Sequence, residues 1–136
     1  MCLVATGYMV HTALRVARRL ALDGIAVGIV DLLDISGFAE DKLAHLLSRY
    51  KGVVTLEEGF SGRGGLDAMM FDWVVRRELD LRIRNLGVTG GYHFELGSRE
   101  QLHERVGIGA EAVYRQVRAF VDAFGTSERQ LPASGT

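Results

Sequence analysis

The sequence predicts an α/β fold in which a mostly parallel sheet carries helices on both faces. Three observations lead there. Short apolar runs alternate with segments whose apolar residues recur at helical spacing, in the order strand, helix, strand, helix, strand, helix, strand, then two helices. Parallel strands require crossover connections, and right-handed crossovers pack their helices back onto the sheet. Finally, 136 residues that are 48% hydrophobic and 24% charged can bury one core without disulfides or metals, and no internal repeat or linker divides the body.

Cys2-Leu3-Val4-Ala5, bounded by Thr6-Gly7, reads as a buried strand. Val10, Ala13, Leu14, Ala17, Leu20 and Ala21 then share one face of a helix that Asp23-Gly24 closes. Residues 25–31, IAVGIVD, predict the second strand, with Asp31 at the edge of a loop containing Ser36-Gly37. Leu43, Leu46, Leu47 and Tyr50 repeat the helical stripe up to Lys51-Gly52. The third strand is expected over residues 53–56. A helix marked by Leu66, Met69, Met70, Trp73 and Val74 follows, and its Met69-Met70-Trp73 cluster belongs in the core or a subunit contact. A fourth strand near Leu81, Ile83 and Leu86 leads to a loop with Gly90, Gly91, Tyr92 and Phe94. Ser98-Arg-Glu-Gln101 has the form of a capping box that opens a short helix. Val113, Val117, Phe120, Val121 and Phe124 mark the last helix. The domain is expected to cover residues 1–126, with a polar, aperiodic and frayed tail at 127–136.

Sixteen basic residues against seventeen acidic ones leave a net charge of −1, and no electrostatic footprint points to nucleic acid or an anionic membrane. The single Cys2 has no internal disulfide partner and no Cys/His cluster has metal spacing, which fits a reducing cytoplasm. No apolar run approaches ~20 residues and no leader pattern opens the chain, so neither a membrane span nor a secretory signal is expected.

Ligands of such folds bind at the carboxyl ends of the strands. That brings Thr6-Gly7-Tyr8, the loop from Asp31 to Gly37, and the loop from Glu57 to Gly65 into view. Asp31 stands where a ribose-binding acid would, but Gly7 alone does not make G-x-G-x-x-G. Gly62-Arg63-Gly64-Gly65 lacks the lysine and hydroxyl residue of a P-loop. Glu57 and Glu58 are neighbours, so on a continuing strand they face opposite ways and share no proton; one is expected to cap the following amides and the other to be solvated. Among the four histidines, His93, between two aromatics in a glycine-rich loop, is the contact candidate. His11, His45 and His103 are read as surface or packing residues, and no Ser/His/Asp or Cys/His arrangement is legible. The candidate interface or ligand contacts are therefore Thr6, Gly7, Tyr8, Glu57, Glu58 and His93, with no residue assigned to catalysis, cofactor or metal.

The segment VATGYMVHTALRVARRLALDGIAVGIVDLLDI resembles the start of the carboxyl-terminal domain shared by transketolases, 1-deoxyxylulose-5-phosphate synthases and the β chains of 2-oxoacid dehydrogenases. VVTLEE with its following glycine turn matches the next signature of that family. ELGSREQLHERVGIGAEAV is similar to the ending in the transketolase and synthase branch. The resemblance implies a three-layer α/β/α sandwich with a mostly parallel sheet of four to five strands. It also implies thiamine diphosphate and Mg²⁺ held by two other domains, one gripping the diphosphate and one the pyrimidine ring, so no catalytic residue carries over to this chain. Ser36-Gly37 replaces a usual Lys-Pro or Arg-Pro, which implies a looser loop, and the loop from Gly90 to Leu96 is about one residue out of step. The chain also begins after the family's usual antiparallel edge strand, and a bare sheet edge invites pairing. The resulting expectation is a cytoplasmic subunit of a split, two-fold symmetric hetero-oligomer, inactive alone, whose partner chains transfer a two-carbon ketol or acyl unit. The alternatives are a non-enzymatic interaction module, and an independent nucleotide- or phosphate-binding domain using the Thr6-Gly7 helix terminus.

Overall fold

The computed structural model describes residues 1–129, with side chains as far as Phe124. Strands β1 (Cys2–Ala5), β2 (Gly28–Asp31), β3 (Gly52–Phe60) and β4 (Arg82–Val88) form one sheet in the order β2-β1-β3-β4, and every neighbouring pair is parallel. Helices α1 (Met9–Leu22), α2 (Glu40–Leu47), α3 (Leu66–Arg76), α4 (Arg99–Arg105) and α5 (Ala110–Arg129) are the other elements of the described residues.

Alternation along β1 divides the core. Leu3 and Ala5 join Val54, Leu56 and Leu86 on one face, packed against Met9, Ala13, Val16 and Leu20 of α1 and Val113 and Val117 of α5. Cys2, Val4 and Val53 face the other way, against Leu43 and Leu47 of α2 and Leu66, Met70, Trp73 and Val74 of α3. Each fully buried side chain of this kind contributes about 1.5–3 kcal/mol. The result is a three-layer α/β/α sandwich, with β1 central and buried on both faces, which is why CLVA has no polar alternation.

Edge strand β4 carries Arg82 and Arg84, whose guanidinium carbons lie 5.0 and 5.9 Å from the ring centres of Phe124 and Phe120 on α5. Charge on an edge strand opposes further pairing. Three elements differ from expectation. Strand β3 continues to Phe60, and between the pairs Leu56–Leu86 and Phe60–Val88 it is two residues longer than β4. Strand β2 begins only at Gly28, because Ile25 and Val27 pack on the α1 and α5 side before the ladder starts. Helix α5 continues to Arg129, past the expected boundary at 126, while the rest of the expected tail, residues 130–136, lies outside the described residues. Met70 and Trp73 are core residues, and Met69 packs partly buried beside them.

Candidate interface site at the carboxyl end of the sheet

Beyond Leu56, Glu57 turns toward α3 and is buried. Its two carboxylate oxygens accept the backbone amides of Leu66 and Asp67, each at 3.0 Å, and so cap the first turn of α3. The N-cap residue is Gly65, at φ +99°; a Cβ there would lie 2.7 Å from Glu57 Oε2, so only glycine fits. Asp67 Oδ2 accepts the Gly62 amide at 2.5 Å and the Asn85 side-chain amide at 3.1 Å. Asn85 Oδ1 in turn accepts the hydroxyl of Thr55, its register partner, at 2.8 Å. Burial pushes the Glu57 carboxyl above its ordinary pKa, and the Asp67 carboxylate adds to that, while the two donated amides oppose it. The α3 terminus, which a phosphate at the Gly62–Gly65 turn would need, is already occupied by this side chain.

Glu58 points to the opposite face. Its Oε1 lies 2.7 Å from His103 Nε2 and 3.1 Å from Arg99 Nε. The carboxylate selects the tautomer with a proton on Nε2. His103 is buried, and α4 holds it in place through a complete capping box, in which the Ser98 hydroxyl accepts the Gln101 amide and the Gln101 side chain accepts the Ser98 amide. The i, i+4 spacing then brings Arg99 and His103 to one side of the helix. Tyr8 closes the cluster: its ring meets those of His103 and His11 edge-on, each at 5.5 Å, and the Arg99 guanidinium sits 4.5 Å above it. Arg15 bonds Glu100 at 3.1 Å and the Tyr8 hydroxyl at 3.5 Å. The arrangement ties the loop after β1, the end of β3 and α4 together with its charges paired.

Of the sequence-derived candidates, Tyr8 and Glu58 therefore converge, and Glu57 lies across the sheet from them. Thr6 contributes backbone, its amide donating to Leu56 O at 3.3 Å and its carbonyl accepting from Met9. Gly7 is exposed at φ +58° with no atom within 4 Å of where a Cβ would stand. His93 is exposed in the loop after β4, and its polar partners among the described residues are Thr89 O at 3.0 Å and Glu95 at 4.0 Å, apart from the Tyr8 cluster. Two expectations change. Glu58 is held by a buried imidazole and a guanidinium where plain solvation was expected, because α4 folds back over the end of β3. The Ser36-Gly37 loop is pinned: Asp34 Oδ1 accepts the Ser36 hydroxyl and amide at 2.7 and 2.8 Å and the Gly37 amide at 3.1 Å, which holds its carboxyl below the usual range. His103, read as a surface or packing residue, and Arg99, Asp67 and Asn85, which were not singled out, complete the two sites. The capping box, which fixes the start of α4, was the available signal for the first two.

Among the described residues no group of three or more His, Cys, Asp or Glu side chains is arranged to hold a metal ion, and no helix is long and apolar enough to cross a membrane.

Four parallel strands between two helical layers, with strand ends closed by internal caps and ion pairs, define a three-layer α/β/α domain of parallel topology. Residues 1–113 match the family "Transketolase, C-terminal domain", and the chain belongs to it. It is 34% identical over 116 residues to the 1-deoxy-D-xylulose-5-phosphate synthase of Aquifex aeolicus, covering 85% of this chain and 18% of that protein. It is also 34% identical over 125 residues to the synthase of Mycolicibacterium vanbaalenii, covering 92% of this chain and 19% of the other. The chain thus spans under a fifth of the length of these relatives. Among solved structures it is similar to "Split gene transketolase, inactive beta4 tetramer", with a TM-score of 0.73 and 27% identity over 87% of this chain and 37% of that one.

Proposed function

We propose that this chain is the carboxyl-terminal, assembly-stabilising subunit of a thiamine-diphosphate-dependent, transketolase-like enzyme. Partner chains carry the diphosphate- and pyrimidine-binding domains and transfer a two-carbon ketol or acyl unit, in a two-fold symmetric hetero-oligomer. The observation that carries this reading is the family match, joined to a structural neighbour that is itself a split-gene transketolase. A diphosphate-bound Mg²⁺ needs several oxygen ligands. The reading places that ligand set, and with it the cofactor, on the partner chains. Within the complex the cofactor supplies the chemistry and the protein supplies position. This chain's part is to hold its own carboxyl-end loops rigid through the Glu57 cap and the Glu58–His103–Arg99 pairing, so that they meet a neighbour in one shape. The same reading puts the complex in the cytoplasm, where the lone, buried Cys2 stays reduced.

Co-expression with chains carrying the two thiamine domains, followed by native mass measurement and a ketol-transfer assay, tests it. A stoichiometric complex whose activity requires this chain is expected. A chain that never joins such partners, or partners fully active without it, would refute the reading.

A further inference from the structure

Glu57 on β3 and Asp67 in the first turn of α3 are 5% and 7% exposed, and their carboxyls lie within hydrogen-bonding reach of each other. Two carboxylates cannot make such a bond; one carboxyl must keep its proton and donate it. Amides account for what else the pair accepts. Glu57 takes those of Leu66 and Asp67, while Asp67 takes that of Ala68 on Oδ1 and those of Gly62 and the Asn85 side chain on Oδ2.

The turn from Ser61 to Gly65 depends on these bonds. Gly62 and Gly64 have positive φ and no atom within 4 Å of where a Cβ would stand, so no side-chain packing holds the turn there. Polar bonds tie it to α3 and β4 instead: the Gly62 amide donates to Asp67, the Asn85 side chain to the Ser61 hydroxyl, and the Ser61 amide to Val88 O at 2.9 Å. No opposite charge relieves the acid pair. Asp67 is the charged group that acts on Glu57, and among the described residues neither acid forms an ion pair. Glu58 turns to the other face of the sheet, Glu40 and Asp41 of α2 pair with Arg76 and Arg77 at the far end of α3, β4 presents the neutral Asn85, and Arg63 of the turn is exposed.

We propose that Glu57 and Asp67 share a single proton and that this proton latches the Ser61–Gly65 turn. With it in place, the carboxyl pair holds the turn against α3 and β4. When it passes to solvent, two adjacent like charges remain in a buried position; they repel, Asp67 withdraws from the Gly62 amide, and the turn opens. The turn follows Phe60 at the carboxyl end of the sheet, so proton concentration sets the shape of that surface. The direction of the Glu57 shift agrees, since burial and Asp67 both raise its carboxyl above the ordinary value of 4.5. The latch does not require the thiamine-enzyme reading, and its failure would leave that reading standing.

Carbon-13 and amide-exchange NMR of the full-length chain from about pH 4 to about pH 8 tests it. The side-chain carboxyl carbons of Glu57 and Asp67 should report one shared titration step above 4.5. Across that step the amides of Gly62, Leu66 and Asp67 should lose about 10-fold or more in protection factor, while those of Val4 and Val54 in the central strands hold theirs. Asp67→Asn keeps an acceptor for the Gly62 amide and removes the like charge; it should return the Glu57 step toward 4.5 and keep the turn protected at every pH. Glu57→Gln should abolish the step and also hold the turn closed. Asp72→Asn, exposed on the same helix, should leave the step where it is. Separate titrations at ordinary values, protection that holds through the step, or an Asp67→Asn chain that opens with the same pH dependence would each overturn the proposal.

Discussion

His103 Nε2 lies 2.7 Å from Glu58 Oε1, a bond that joins the middle of α4 to the end of β3 across 45 residues of sequence. The imidazole is buried while the carboxylate stays partly open, so removing the two sides has unequal effects. Glu58→Ala leaves a buried donor unpaired and should destabilise the fold by about 1–3 kcal/mol, read as a fall in thermal midpoint of roughly 3–10 °C. Arg99→Ala, which breaks an exposed ion pair and the cation–π contact with Tyr8, should cost only about 1 kcal/mol. A double-mutant cycle with His103→Ala should show coupling of about 0.5 kcal/mol or more; strict additivity would show that the contact contributes nothing.

Glu57 makes stability depend on pH in a direction opposite to that of a salt-bridged acid. Burial raises its folded pKa above the ordinary value of 4.5, so between the two values the folded chain binds more protons than the unfolded chain. Its contribution is therefore complete below about pH 4.5 and is lost as pH rises through the folded pKa. Urea unfolding of wild type and Glu57→Gln from about pH 4 to about pH 7 should show the wild type losing ground to the variant as pH increases. A difference that stays level would mean the carboxyl is unshifted.

Two glycines separate backbone strain from crowding. Gly65→Ala forces a side chain into a region that only glycine adopts, 2.7 Å from Glu57 Oε2, and should cost on the order of 2–3 kcal/mol or more. Gly7→Ala meets no neighbour at φ +58° and should cost only about 1 kcal/mol. Equal losses in chemical denaturation would remove the role given to the close approach at Gly65.

Cys2 is fully buried in β1, and burial pushes its thiol up to about 11. A thiol reagent at mildly alkaline pH should therefore react with the native chain only at the rate of unfolding, and rapidly in denaturant. Fast modification of the native chain would show that the amino-terminal strand opens locally.

Much of this architecture was legible in the residues. A strand buried on both faces must be apolar throughout, as CLVA is, and the Ser98/Gln101 capping box marks the start of α4 without ambiguity. The opposite facing of Glu57 and Glu58 follows from the period of two. What stayed hidden depends on contacts that no local period encodes. The extension of β3 to Phe60 rests on a slip against β4, where Gly87 lets the backbone of Gly59 come close. That one of the two acids caps the following amides was expected, but which one depends on the positive φ angles of Gly62, Gly64 and Gly65, which swing α3 back over Glu57. His103 finds Glu58 only after every intervening element has packed.

The slip between the pairs Leu56–Leu86 and Phe60–Val88 also divides the chain's tolerance to changes in length. Before Leu56, one inserted residue would turn every later side chain of β3 to the wrong layer and expose its core set to solvent. Beyond it, the ladder already accommodates unequal spans on its two strands, so an added or lost residue near Gly59 shifts a loop and leaves the core in place. The β3 strand is thus rigid in its count over its first half and elastic over its second, and the elastic half is the one that delivers Phe60 to the surface.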